Sequence, residues 1–322
     1  MATASLPVFD AAATRALLPA AALVGAVIDA MRARRAGSLN APERLALPLP
    51  AGGSYLVMPA ADAELAVTKL VTVHPHNSAR GLPTIQGQVL VTSAGDGRPL
   101  MLLDGPTLTA RRTAAVTALG LRVLPHRPVR SVALVGTGAQ AREHARLFAE
   151  LGEIECIEVV GRDPARAEAF VEAVAPSCPG VRLRAALSID DALGRVDAVV
   201  TLTTATRPVL PDRLRDELLV VGVGAFQPHM AELPPSLLAS RTVVVDTLSA
   251  ARHEAGDLSR AAIDWANVTE LVDHLDVSGA PGPAPVFKTV GQAAWDLAAA
   301  HVAVNHARPG DHFRFHSTGR NA

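Results

Sequence analysis

The sequence predicts an α/β protein in which a doubly wound parallel sheet is inserted into an α+β unit. Three observations predict it. From about Val129 onward, short apolar runs rich in β-branched residues alternate with helical stretches, the rhythm of parallel strands joined by crossover helices. Residues 130–141, Arg-Ser-Val-Ala-Leu-Val-Gly-Thr-Gly-Ala-Gln-Ala, join one such run to a helix start through two glycines. This turn also lies deep in the chain, behind segments whose glycine, proline and polar interruptions suit a mostly antiparallel sheet.

The elements follow in order. Pro19 to Gly37 reads as a helix, with proline tolerated in its first turn, Leu23, Val27 and Met31 on one face, and glycine as a stop. Tyr55 to Met58, Leu65 to Val73, Gln88 to Thr92 and Leu100 to Leu103 are the antiparallel strand candidates. Val132 to Val135, Cys156 to Val160, Ala198 to Leu202, Leu218 to Val223 and Val243 to Val245 are the parallel ones. Among the helices between them, Pro164 to Ala175 is the clearest, with Asp163 as its N-cap and Pro164 as its first residue. A last helix, Gln292 to Asn305, is expected to return to the first unit.

The glycine turn has a chemical reading. Gly136 permits the tight turn, Gly138 lets the backbone approach a pyrophosphate, and Ala141 keeps helix and strand close, as in a Rossmann-type dinucleotide site. The phosphates would rest on the amide donors of a helix starting near Ala139 and Gln140. Which dinucleotide binds is usually decided after the second strand, where an acidic residue accepts from the ribose hydroxyls of NAD and an arginine accommodates the 2′-phosphate of NADP. Here Gly161 takes the acidic position and Arg162 follows, which favours NADPH and leaves NADH open. The plainer reading makes Arg162 a solvated surface residue and Asp163 a helix cap only.

Composition excludes other classes. With 30 basic and 31 acidic residues and no long run of either sign, the chain carries no footprint for nucleic acid or an anionic membrane surface, so a small-molecule partner is expected. The longest apolar stretch, Ala16 to Ile28, contains Pro19 and Gly25 and falls short of the roughly 20 residues that span a bilayer. It also lacks the marks of a secretory signal. Cys156 and Cys178 form neither a disulfide framework nor a metal-ligand pattern, so a cytoplasmic location is expected and no metal is assigned. His74 and His76 flank Pro75 without a suitable third ligand and read as structural. Asp246 and Asp296 could be site residues, though capping and surface roles are commoner for such positions, and Trp265 and Trp295 read as packing.

A second constellation lies in the first unit: Arg44, Lys69 and Arg112. Lys69 sits in an apolar strand among Leu65, Val67, Leu70, Val71 and Val73, and a buried ammonium needs an anion, a strong hydrogen-bond network or a catalytic reason. Burial also lowers a lysine pKa toward values useful for proton transfer near neutrality. Converging on one cleft, the three cations would bind a carboxylate. Taken singly, each reads more simply as an outward strand lysine or a surface-paired arginine.

The segments 42–44, 58–60, 69–77, 80–87, 103–107, 112–115, 136–141, 201–204, 222–225 and 287–291, in this order over nearly the whole chain, resemble the ornithine cyclodeaminase and mu-crystallin family. Within it the sequence is most similar to bacterial reductases of the cyclic imino acids Δ1-pyrroline-2-carboxylate and Δ1-piperideine-2-carboxylate, which yield L-proline and L-pipecolate. The resemblance implies a homodimer, with residues 1–115 plus 296–322 as the substrate-binding and dimerisation domain and residues 116–295 as the dinucleotide-binding domain. It implies that Arg44, Lys69 and Arg112 hold the substrate carboxylate, with Lys69 also the proton donor and acceptor and Val290 near the substrate. Thr84, Arg112, Gly136, Gly138, Ala139, Gln140, Thr203, Val223 and Thr289 match positions at the dinucleotide, and Arg162 falls where NADPH-using members contact the 2′-phosphate.

One departure narrows the expectation. Cyclodeaminases carry a catalytic aspartate where this sequence has Phe226, and a phenyl ring neither accepts a proton nor holds an ammonium group. The resemblance thus implies a reductase and argues against ornithine cyclisation. Two alternatives stay open: an amino-acid dehydrogenase like the family's alanine dehydrogenases, and an NADPH-binding protein without turnover, like mu-crystallin in a binding role.

Overall fold

A computed structural model of the protein describes residues 6–261, 263–277 and 282–307. Two sheets organise it. The first is an antiparallel meander of β1 (Leu45–Leu49), β2 (Gly53–Ala61), β3 (Leu65–Val73), β4 (Ile85–Ser93) and β5 (Pro99–Asp104), paired in chain order. Strict alternation in β3 turns Leu65, Val67, Lys69 and Val71 inward and leaves Leu70 outward. Register sets Lys69 between Met58 of β2 and Val89 of β4, both buried. The outer face keeps an apolar stripe, with Leu45, Leu47 and Leu70 exposed by 56, 46 and 36%.

The short helix α1 (Ala11–Ala16) leads into α2 (Ala20–Arg35), which together with α3 (Gly105–Val123) and α10 (Ala293–His306) covers this part of the molecule. Helix α3 follows β5 at once, because Asp104 accepts the Thr107 amide at 2.8 Å as an N-cap and Pro106 opens the first turn. Helix α10 is apolar around nearly its whole circumference and is accordingly buried, packed against α2, α3, β2 and β3.

The second sheet is parallel and eight-stranded. Its strands are β6 (Ser131–Val135), β7 (Cys156–Val160), β8 (Arg182–Ala185), β9 (Ala198–Thr201), β10 (Leu219–Gly222), β11 (Val243–Val245), β12 (Thr269–Glu270) and β13 (Val286–Lys288), in the order β12-β11-β13-β10-β9-β6-β7-β8. The neighbours of β6 are β7 and β9, so the strand order reverses there, and ligands of doubly wound sheets bind at such a point. Helices α4 (Ala139–Leu151), α5 (Pro164–Val174), α6 (Ile189–Leu193), α7 (Pro235–Ser240), α8 (Leu248–Glu254) and α9 (Gly256–Arg260) lie between the strands in sequence. Asp163 caps α5 through the Arg166 amide at 3.0 Å.

The apolar strands and the helices α2, α5 and α10 appear where the sequence predicts them, within a few residues. Strands β1, β8, β12 and β13 have no counterpart in that reading. β1 carries Pro48 on an exposed edge, β8 alternates Arg182 and Arg184 with partly buried residues, and β12 and β13 span only two and three residues. The expected divisions at 115/116 and 295/296 fall inside α3 and α10, each of which runs on unbroken, and residues 308–322 lie outside the described ones.

The two sheets are joined by a buried arginine. Arg111 on α3 donates to the Leu18 carbonyl at 2.7 Å and to Glu143 Oε1 on α4 at 3.0 Å, and pairs with Glu150. Arg15 reaches the other Glu143 oxygen at 3.3 Å. A guanidinium spread over three acceptors fixes α4 against α3, and with it the glycine turn against the strand that carries Lys69.

Candidate active site

Lys69 and Arg112 arrive from different elements and meet one carboxylate. Lys69 Nζ lies 2.7 Å from Asp296 Oδ2, and Arg112 Nε donates to Asp296 Oδ1 at 3.1 Å. All three residues are buried, and Asp296 is inaccessible to solvent. Burial pushes the Lys69 ammonium down to about 8; Asp296 opposes this, while the charges of Arg112 and Arg44 reinforce it. An amine in that range is largely protonated at neutral pH yet able to give up its proton.

Arg44, on the approach to β1, closes the group. Its Nη2 donates to Glu254 Oε2 at 2.5 Å and to the Gly291 carbonyl at 3.1 Å. Gly291 also touches Arg112: a Cβ there would stand 2.4 Å from Arg112 Nη1, and its φ of +78° suits glycine. Arg44, Lys69 and Arg112, with Val290 one residue away, therefore do converge. Their three positive charges face the carboxylates of Asp296 and Glu254, leaving a formal charge of +1 for a small anion.

Asp246 shapes the segment that separates this cluster from the parallel sheet. It follows β11, and its Oδ2 accepts the Thr289 hydroxyl at 2.7 Å, the Gly291 amide at 2.9 Å and Trp295 Nε1 at 3.4 Å. Its Oδ1 takes the Thr247 amide at 3.0 Å and the Val290 amide at 3.4 Å. Asp246 and Asp296 are thus buried organisers of the site, the less common of the two roles open to them in the sequence, rather than caps or surface residues. Trp295 is fully buried and donates to Asp246 as well as packing.

The glycine turn is built as its chemistry requires. Gly136 has φ +124°, and a Cβ there would stand 2.7 Å from the Leu202 carbonyl oxygen. Around Gly138 a Cβ would meet no atom of the described residues within 4 Å beyond its chain neighbours, so the start of α4 has room for a ligand. No side chain caps that helix, and Gln140 Oε1 is buried without a partner among the described residues. Ala141 is fully buried against the sheet. Uncapped amides and open space at Gly138 together fit a dinucleotide pyrophosphate, whereas the orphaned Gln140 oxygen, an acceptor, calls for a donor such as a ribose hydroxyl. Arg162, beyond β7, is exposed and makes no ion pair among the described residues.

The loops after β9 and β10 are held from beneath by Glu232, which the sequence reading does not single out. Its Oε1 accepts the Thr203 amide at 2.6 Å, and its Oε2 accepts the Thr201 hydroxyl at 2.9 Å and the amides of Gly224 and Ala225 at 2.7 and 3.0 Å. Val223 is tied to the Thr201 carbonyl at 3.1 Å, so Thr203 and Val223 stand side by side on one edge. Thr289, after β13, reaches the same edge through its amide bond to the Gly222 carbonyl at 3.0 Å. Thr84 stands before β4, where its carbonyl accepts the His74 amide at 2.8 Å. Phe226 is half-buried just past the Glu232-bound amides.

The family model of the ornithine cyclodeaminase/mu-crystallin family matches residues 8–310. This chain belongs to that family. Among its relatives, Delta(1)-pyrroline-2-carboxylate reductase 1 of Burkholderia multivorans is 47% identical over 92% of this chain and 94% of its own length. The Delta(1)-pyrroline-2-carboxylate/Delta(1)-piperideine-2-carboxylate reductase of Azospirillum brasilense is 45% identical over 92% and 95%. Among solved structures, Thermococcus litoralis Delta(1)-pyrroline-2-carboxylate reductase in complex with NADH and L-proline has the same fold, with a TM-score of 0.86 at 24% identity, covering 94% of this chain and 97% of that one.

The site also holds residues that no sequence pattern announces. Glu254, on α8, is pushed up to about 7 by burial, with Asp246 and Glu43 adding to the effect and Arg44 opposing it. Next to it, His253 Nδ1 lies 2.8 Å from Glu43 Oε1, so the strap 43–44 is tied to α8 by two adjacent pairs. Nothing in the spacing of Glu254, Asp246, Asp296 or Glu232 separates them from surface carboxylates; only the fold brings them inside. Among the described residues no His, Cys, Asp and Glu group of metal-binding form occurs, and no helix is long and apolar enough to cross a membrane.

Proposed function

We propose that the protein reduces cyclic imino acids with a nicotinamide dinucleotide, turning Δ1-pyrroline-2-carboxylate into L-proline and Δ1-piperideine-2-carboxylate into L-pipecolate. The observation that carries this reading is the buried ammonium of Lys69 between Arg44 and Arg112, in a chain whose near relatives bear the names of such reductases. A reduced nicotinamide supplies, when bound, the hydride that the substrate C2 accepts. Arg44 and Arg112 bind the substrate carboxylate and fix the ring, which removes much of the entropic barrier to reaction. Lys69 Nζ gives a proton to the ring nitrogen, so the C=N bond becomes a C–H and an N–H bond. Proton and hydride together balance the reduction, and Lys69 regains its proton from solvent afterwards. The ring methylenes ask only for apolar contact, so discrimination between five- and six-membered rings is limited to about 1–3 kcal/mol.

The dinucleotide would lie on Gly136, Gly138, Ala139 and Gln140, with Thr203, Val223 and Thr289 along the same edge, and with Thr84 and Arg112 on the side of the first sheet. We propose NADPH as the preferred form, because Arg162 is exposed and without an ion pair among the described residues where the 2′-phosphate would stand; NADH is accepted more weakly. Residues 1–115 with the last helix would form the substrate-binding and dimerisation part and residues 116–295 the dinucleotide part, the outward Leu45, Leu47 and Leu70 stripe supplying a face for a homodimer. Two free buried cysteines suit a reducing, cytoplasmic setting.

The experiment follows NADPH and NADH oxidation with each cyclic imino acid and with pyruvate plus ammonia. Oxidation with the imino acids is expected, faster with NADPH. Turnover with pyruvate plus ammonia alone would make the protein an amino-acid dehydrogenase, and binding without any turnover would make it a dinucleotide carrier. Arg162→Ala should raise the KM for NADPH while leaving that for NADH in place.

A further inference from the structure

We propose that Asp296 is a positioning residue for the reaction: one carboxylate oxygen aims the ammonium of Lys69, the other aims the guanidinium of Arg112. Proton donor and carboxylate clamp are then set by a single group on the last helix. The inference rests on the reductase reading above. Its geometry is direct, since Oδ2 stands 2.7 Å from Lys69 Nζ and Oδ1 3.1 Å from Arg112 Nε, with no accessible surface on Asp296.

Three features single out Asp296 among the buried carboxylates. It touches two members of the cation cluster, whereas Glu254 touches only Arg44 and Asp246 binds backbone amides, a hydroxyl and an indole. It lies in the first turn of α10, where the helix dipole favours an anion. It is also placed by packing: α10 is buried on nearly all sides, so the carboxylate has little freedom to follow a moving partner.

The electrostatics give the arrangement a purpose. The charged groups facing Lys69 are Asp296 from α10, Arg112 from α3 and Arg44 from the approach to β1, with Glu254 of α8 reached through Arg44 and Asp246 beyond Gly291. Burial and two guanidinium groups all drive the proton off Lys69, and Asp296 alone among its contacts keeps it on. Without that carboxylate the lysine would hold its proton less tightly and give a smaller protonated fraction at the pH of the reaction.

Asp296→Asn tests this. Its alkaline limb of kcat/KM for the imino acid should move down by about 1–3 pH units, and kcat at neutral pH should fall about a hundredfold. Binding of pyrrole-2-carboxylate, a planar five-ring carboxylate, should weaken in calorimetry, while fluorescence titration of NADPH stays within about twofold of wild type. Asp296→Glu, which keeps the charge and displaces it, should hold the alkaline limb in place and still lower kcat. A wild-type pH profile in Asp296→Asn, or full kcat in Asp296→Glu, overturns the proposal; should the asparagine variant not fold, the glutamate variant decides. If the wild-type protein reduces no imino acid, the functional reading fails, and pyrrole-2-carboxylate binding still reports whether Asp296 aims Arg112.

Discussion

Arg44 Nη2 and Glu254 Oε2 stand 2.5 Å apart, so the arginine proposed to bind the substrate carboxylate already holds one of the protein's own. Glu254 is pushed up to about 7, first by burial. On the proposed role of Arg44, an incoming carboxylate should compete for it and further favour the protonated glutamic acid, so that binding takes up a proton. Affinity for pyrrole-2-carboxylate should therefore weaken as pH rises from 6 to 7.5, by at most about tenfold per unit. In Glu254→Gln the same titration should be flat within about twofold, and a slope equal to wild type would remove Glu254 from the linkage.

Lys69→Met keeps the length of the side chain and removes the proton. Its kcat with the imino acid should fall by about 10²–10⁴, the range of a lost general acid. NADPH binding by fluorescence should be unaltered, because Lys69 lies on the antiparallel sheet, away from the glycine turn. Turnover equal to wild type would take Lys69 out of the mechanism.

The two turn glycines should fail in different ways. Gly136→Ala combines φ +124° with a 2.7 Å approach to the Leu202 carbonyl and should cost about 2 kcal/mol or more in urea unfolding. Gly138→Ala meets open space, so its stability should stay within about 1 kcal/mol of wild type. Its dinucleotide affinity should nevertheless drop at least about tenfold, because the added methyl occupies the room above α4. Equal loss of stability in both variants would contradict this division.

Gly291→Ala places a methyl 2.4 Å from Arg112 Nη1 at a φ of +78°. The backbone should cost about 1–2 kcal/mol, seen as a lower Tm. Steady-state kinetics should show the KM for the imino acid raised about tenfold, from a displaced guanidinium, with a smaller change in kcat. An unchanged KM would mean that Arg112 does not clamp the carboxylate.

What the sequence reveals and conceals follows from range. The helix of residues 20–35 and the strands β6, β7 and β9 are legible because their signals are local: caps, apolar period, glycine at a turn. Lys69 is legible because alternation in β3 buries it. Asp296, Asp246 and Glu232 are opaque for the opposite reason, since each owes its burial to partners at least dozens of positions away: Lys69 and Arg112 for Asp296, residues 289–291 for Asp246, Thr201 and Thr203 for Glu232. Strand β13 carries Lys288 fully buried at 3.2 Å from Asp257, an arrangement no apolar pattern announces.

The insertion of β13 between β10 and β11 bears on how the chain is made. The middle of the parallel sheet is completed by residues 286–288, and the antiparallel sheet receives its α10 cover from residues 293–306 immediately after. A growing chain emerging from the ribosome therefore lacks β13 until residue 288 is out and α10 until residue 306 is out. Completion of each sheet waits for contacts of long sequence separation, which form slowly and leave apolar strands uncovered meanwhile. Synthesis halted before residue 286 should yield a product that chaperones hold and proteases clear, with both halves lost together.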